Sequence, residues 1–91
     1  MEMYPKVNTV TTLPNYRLVV TFQNGIVKLY DCLPLLEESV FTALQDDSFF
    51  EQVEVDTGGY GIIWSDQVDL SESELWLNGV EVASLVEEGN E

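Results

Sequence analysis

One short stretch limits the possible folds more than any other. From Tyr16 the chain alternates, with Tyr16, Leu18, Val20 and Phe22 on one face and Arg17, Val19 and Thr21 on the other. This is the period-two signature of a half-buried strand. Asn24-Gly25 follows at once and predicts a hairpin with a type I′ turn, which needs positive φ at both central residues. Ile26–Tyr30 then returns, rich in β-branched and aromatic residues. Upstream, Lys6–Thr12 is β-rich and stops at Leu13-Pro14-Asn15, a turn signal. The first thirty residues are therefore expected to form a three-stranded antiparallel meander.

Beyond this meander the pattern changes. Pro34 suits the first turn of a helix, and Leu36, Val40, Phe41 and Leu44 recur at helical offsets as one apolar stripe. Glu37 and Glu38 fall in the first turn of that predicted helix, where its dipole favours negative charge on a solvated face. Asp46-Asp47-Ser48 ends it and caps a short turn that carries Phe49 and Phe50 inward. Val53–Thr57 alternates again, and Gly58-Gly59 turns the chain into Gly61–Trp64, a second hairpin. Ser71 and Glu74 have the spacing of a capping box, which predicts a short helix over Glu72–Leu77 that stops at Asn78-Gly79. Val80–Val86 fits either a strand or a helical turn, and Glu87–Glu91 reads as a frayed acidic end.

The order β-β-β-α-β-β-α implies an α+β fold, with one mostly antiparallel sheet covered on a single face by the first helix. At 91 residues the chain is expected to form a single domain over 1–91, its last stretch, 80–91, being a partly ordered acidic tail. The expected core is Val20, Phe22, Leu29, Leu36, Val40, Phe41, Leu44, Phe50, Val55, Ile62, Trp64 and Leu75.

Composition narrows the function. Seventeen Asp and Glu stand against three Lys and Arg, a net charge of −14, yet 45% of the chain is hydrophobic, which argues against disorder. Such a charge repels nucleic acid and anionic membranes, both of which are bound through Lys and Arg. It points instead to a basic protein partner or to self-association. The charge is also uneven: residues 1–30 hold Lys6, Arg17 and Lys28 against Glu2 alone, a net +2, whereas residues 31–91 hold the other 16 acids and no base. There is no histidine, which removes the commonest general base and metal ligand. Met1–Val7 lacks the basic and apolar regions of a signal peptide, and Cys32 is alone, so a cytoplasmic location is expected.

Four features invite a functional reading. Thr57-Gly58-Gly59-Tyr60-Gly61 has neither the spacing nor the lysine of a phosphate-binding loop, and a hairpin turn with a permissive backbone is the better account. Asp56, Asp66 and Asp69 are oxygen ligands of the kind Mg²⁺ or Ca²⁺ takes, but Asp66-Gln67-Val68-Asp69 lacks the regular spacing of a calcium loop. Cys32 has no histidine to activate it and suits a small buried hydrophobe. Trp76, on the short second helix, is expected to be more exposed than Leu75 and is a candidate interface anchor, although an aromatic so placed more often completes a small core. The candidate interface is therefore Trp76, Glu72, Glu74, Asp66, Asp69 and Tyr60, with no catalytic, cofactor or metal residues assigned.

Several motifs appear in a fixed order: Leu13-Pro14-Asn15-Tyr16, Val20-Thr21-Phe22-x-Asn24-Gly25, Tyr30-Asp31, Pro34-Leu35-Leu36, Val55-Asp56-x-Gly58-Gly59-Tyr60-Gly61-Ile62-x-Trp64, Asp69-Leu70-Ser71-x-x-Glu74-Leu75-Trp76 and Asn78-Gly79. Together they resemble the family of small bacterial proteins known as domain of unknown function 2442, over nearly the whole chain up to about Gly79. The resemblance implies a compact α+β domain and a two-protein module of toxin–antitoxin type, and it implies no activity. Gln67 departs from the family pattern, where an acid is common, and this weakens any metal or catalytic site in that segment.

Two functions follow. The first is a non-enzymatic interaction module for a basic partner or for itself. The alternative is a small metal-dependent enzyme that uses Asp56, Asp66 and Asp69 around the Gly-rich hairpin.

Overall fold

A computed structural model of the chain describes residues 4–82. The meander forms as expected, from β1 (Val7–Leu13), β2 (Arg17–Phe22) and β3 (Val27–Asp31). Leu18, Val20 and Phe22 of β2 are almost completely buried, each stabilising the fold by about 1.5–3 kcal/mol relative to exposure. Both turns differ from simple expectation. The second is a three-residue loop, Gln23-Asn24-Gly25, closed by Phe22 N–H donating to Ile26 O at 2.8 Å. Only Gly25 takes positive φ (92°), and Asn24 instead accepts from Ile26 N–H through its side chain. This type I turn with a glycine bulge is the next commonest way to join two strands.

The first turn is more unusual. Asn15 (φ 68°) and Tyr16 (φ 61°) are both left-handed, a conformation that costs a bulky residue about 1–2 kcal/mol. Tyr16 therefore lies in the turn rather than on β2. It is held there from three sides. Its ring packs edge-on against Phe50 at 5.4 Å, its hydroxyl reaches Gln45 O at 3.0 Å, and its carbonyl accepts from Cys32 N–H at 2.9 Å.

The expected first helix is instead two 3-10 helices, Leu33–Glu37 and Ser39–Gln45, separated by Glu38 in an extended conformation. Glu37 thus ends one helix and Glu38 precedes the next, so neither is a first-turn acid of a longer α-helix. At three residues per turn, Phe41 and Leu44 share a face and Val40 rotates off it. Leu44 is buried, whereas Val40 is 57% exposed and drops out of the expected core. Asp46 caps α1 (Asp47–Phe50) as expected, accepting from Ser48 N–H and Phe49 N–H, and Phe50 is carried inward.

Two antiparallel sheets replace the single expected sheet. The first has the order β1-β2-β3-β7 and the second β4-β5-β6. The second comprises β4 (Glu54–Val55), β5 (Gly61–Ser65) and β6 (Val68–Ser71). The strand β6 was not expected, although Val68 and Leu70 are buried and Asp69 and Ser71 exposed in strict alternation. The helix α2 (Glu72–Asn78) starts where the capping box places it, with Ser71 Oγ accepting from Glu74 N–H at 3.1 Å. After it, Val80–Val82 forms β7 against β3, which is the strand alternative for Val80–Val86, and the rest of that reading and the acidic tail lie outside the described residues.

The core joins the inner face of the meander to β5, β6, α1 and α2. It includes Val7, Leu18, Tyr30, Cys32, Val68 and Leu70, which the expected core lacked, while Leu29, Leu36, Phe41 and Val55 are only half-buried. Trp64 anchors it by donating its indole N–H to Phe50 O at 2.8 Å. Gly61 is needed where β5 passes β6, because a Cβ there would collide with Leu70 O. Gly61→Ala is therefore expected to cost about 1–3 kcal/mol through forced backbone shifts, measured as a lowered urea midpoint with an unchanged slope.

Candidate functional site

The cations are placed first, because there are so few. Lys28, on β3, sets its ammonium 4.0 Å from the centre of the Trp76 ring and donates to Trp76 O. The last turn of α2 contains no basic residue, so Lys28 supplies from another element the positive charge that a helix C-terminus favours. Lys6 lies 4.6 Å from the centre of the Tyr60 ring, and Arg17 donates to Pro14 O at 3.1 Å. All three basic side chains thus make contacts within the chain.

Most of the acids face outward. Among the described residues no charged side chain is buried, and Glu37, Glu38, Asp46, Asp47, Glu51, Glu54, Asp66 and Asp69 are all exposed. Asp66 sits at the tip of the β5–β6 hairpin, Asp69 on the outer side of β6 opposite Ile63, and Asp56 before the turn Thr57–Gly59. Asp69 is therefore a strand residue rather than a loop residue. Among the described residues no three Asp, Glu, Cys or His side chains converge so as to hold a metal ion.

The six candidate interface residues divide into groups. Tyr60 and Glu72 are brought together, with Glu72 N–H donating to Tyr60 O at 2.9 Å, and Tyr60 is 58% exposed. One Glu72 carboxylate oxygen, Oε1, is buried with no hydrogen-bond partner. Glu74 turns to the core edge instead, accepting from Tyr30 Oη at 2.7 Å. Trp76 is more exposed than Leu75, as expected, but only partly. It is half-buried, edge-on to Phe22 at 5.1 Å, because Lys28 covers its other side. Asp66 and Asp69 stand apart from the Tyr60–Glu72 pair, along the hairpin and on its outer side.

Three groups titrate away from their ordinary values. Burial pushes the Cys32 thiol up to about 12, with Asp31 adding to the shift, so it is a protonated core residue at neutral pH. Burial and the bond to Glu74 raise the Tyr30 phenol. The bond to Asp47, then burial, raises Tyr16.

Two open grooves escaped the sequence reading. One, of about 420 Å³, lies between the Pro14–Tyr16 corner and Asp47, Phe50 and Glu51. The other, of about 440 Å³, lies beside β3 and is lined by Leu29, Leu35, Pro34, Val80 and Arg17 among others. Of its lining, Leu29 is signalled in the sequence, because an apolar residue there breaks the polar pattern expected of a wet sheet face.

The family is decided by a model described as a protein of unknown function (DUF2442), which matches residues 7–81. The chain belongs to the DUF2442 family. The matched span runs from the first residue of β1 into β7, so the two sheets and α2 make up the DUF2442 domain. No curated protein and no solved structure matches this DUF2442 chain. No helix among its described residues is long and apolar enough to cross a membrane.

The raised thiol and phenol give the domain a signed pH response. Both groups are held neutral in the fold, so their contribution is complete below their unfolded pKa values and is lost as pH rises through the folded ones. Stability measured by urea unfolding is expected to be flat up to about pH 9 and to fall between about pH 9 and 12. A Tyr30→Phe, Cys32→Ala variant is expected to start less stable and to fall less steeply.

Proposed function

We propose that this DUF2442 domain is a non-enzymatic protein-interaction module that receives a basic protein partner on its acidic half, as one member of a two-protein, toxin–antitoxin-like pair. The observation that carries this reading is the fate of the charges. The exposed acids of residues 31–69 have no basic side chain among them, and Lys6, Arg17 and Lys28 are engaged elsewhere within the chain. The acidic surface is thus left to an external cation. Complementary charge of this kind speeds encounter and selects against acidic partners. Among the described residues Cys32 is protonated and buried, and Asp56, Asp66 and Asp69 do not converge to hold a metal ion, which supports the non-enzymatic reading.

The test is capture from the native host with the full chain as bait. A basic protein is expected to be retained at about 50 mM salt and released at about 500 mM, where screening reaches within a few ångströms. Capture of nothing at low salt would overturn the reading. The same reading expects flat calorimetric titrations with Mg²⁺, Mn²⁺ and Ca²⁺. A saturable heat that disappears in an Asp66→Asn, Asp69→Asn variant would replace it with a metal-dependent enzyme.

A further inference from the structure

The register of the first sheet sorts its side chains into two faces. Leu18, Val20, Phe22 and Tyr30 point into the core. The opposite face consists of three cross-strand rows: Leu13, Arg17 and Asp31; Thr11, Val19, Leu29 and Val80; and Thr9, Thr21, Val27 and Val82. Val19, Val27, Leu29 and Val82 are not packed against the core, and Val80 is 65% exposed. One face of an antiparallel sheet is ordinarily solvated and polar. Here its centre is aliphatic, and it continues at the β3 edge into a groove where Leu29, Leu35 and Val80 meet Arg17, Asp31 and, at the core edge, Glu74.

We infer that this outer sheet face binds a second copy of the chain. Charge selects that occupant. The face carries one cation and one anion, Arg17 and Asp31, directly opposite one another across β2 and β3, and is otherwise uncharged. A basic partner finds no excess of acid there, and an acidic one finds a single arginine. Two chains of net charge −14 repel wherever their acidic halves approach, and this neutral face lets them meet with those halves pointing apart.

The face is also complementary to itself. A two-fold axis along the strands, between β2 and β3, exchanges the two strands of the facing copy. It sets Arg17 of each copy against Asp31 of the other, Val19 against Leu29, and Thr21 against Val27, given the register Arg17↔Asp31, Val19↔Leu29 and Thr21↔Val27. Such an isologous contact is the commonest way for a chain to dimerise, and two sheets stacked about 10 Å apart close an aliphatic layer between them. Asp31 spends one carboxylate oxygen on Leu33 N–H, and the other remains for the arginine.

Sedimentation equilibrium of the full chain is the test, over about 1–200 µM, a range that brackets micromolar dimerisation. The dimer is expected to strengthen as salt rises, because salt screens the mutual repulsion of the acidic halves. Binding of a basic partner has the opposite salt dependence, so the two readings fail separately. Val19→Lys, at a surface position, is expected to weaken dimerisation at least about tenfold with the circular dichroism unchanged. Arg17→Asp is expected to weaken it, and Arg17→Asp with Asp31→Arg to restore it. A chain that stays monomeric at all concentrations and salts overturns the inference, as does a dimer indifferent to Val19→Lys. If the chain is monomeric and Val19→Lys abolishes capture of the basic protein, the face belongs to that partner instead.

Discussion

The two-sided character of β2 governs the rest of the molecule. Leu18, Val20 and Phe22 are removed from water on one side, and the second sheet, α1 and α2 all contribute to the core they enter. A slip of one residue would exchange that set for Arg17, Val19 and Thr21, so the register is fixed by burial itself. The strained corner at Asn15 and Tyr16 follows from the same demand. It returns the chain in register, and the contacts of Tyr16 with Phe50, Gln45 and Cys32 offset its backbone cost.

Electrostatics impose the second constraint. A chain with three basic side chains cannot both neutralise its acids and stabilise its own elements, and here the bases serve the fold. Lys28 closes the end of α2, Lys6 covers Tyr60, and Arg17 ties the Pro14 corner. Most of the acids are tolerated because they lie in water, where each repulsion is weak and screened. Two surfaces of different character result, an acidic half suited to a basic partner and a neutral aliphatic sheet face suited to a like surface.

Much of this was legible in the residues. The alternation of β2, the Asn24-Gly25 turn, the Asp46 cap and the Ser71 cap each act over a few residues, and each stands where local chemistry puts it. What the sequence could not reveal depends on distant partners. The stripe Leu36, Val40, Phe41 and Leu44 fits an α-helix on paper, but the segment tightens into 3-10 turns that bury Leu44 and leave Val40 outside. Trp76 looked exposed because its covering residue, Lys28, is 48 positions away. The strand β6 was hidden by its acids, which drew attention to Asp66 and Asp69 rather than to the alternation of Val68 and Leu70. Among the candidate interface residues, Tyr60 and Glu72 are joined across elements by a backbone bond.

The attachment of α2 bears on the order in which the chain assembles. Seven residues are too few to hold a helix in water unaided, and its polar ties to other elements run both to β3, through Tyr30 to Glu74 and Lys28 to Trp76, and to Tyr60 before β5, through Glu72 N–H. The strand that follows, β7, pairs with β3 as well. The segment 72–82 therefore ties the meander to the second sheet, and it is expected to dock as one unit once both have paired. In hydrogen exchange that segment would open together, before the strands on which it rests.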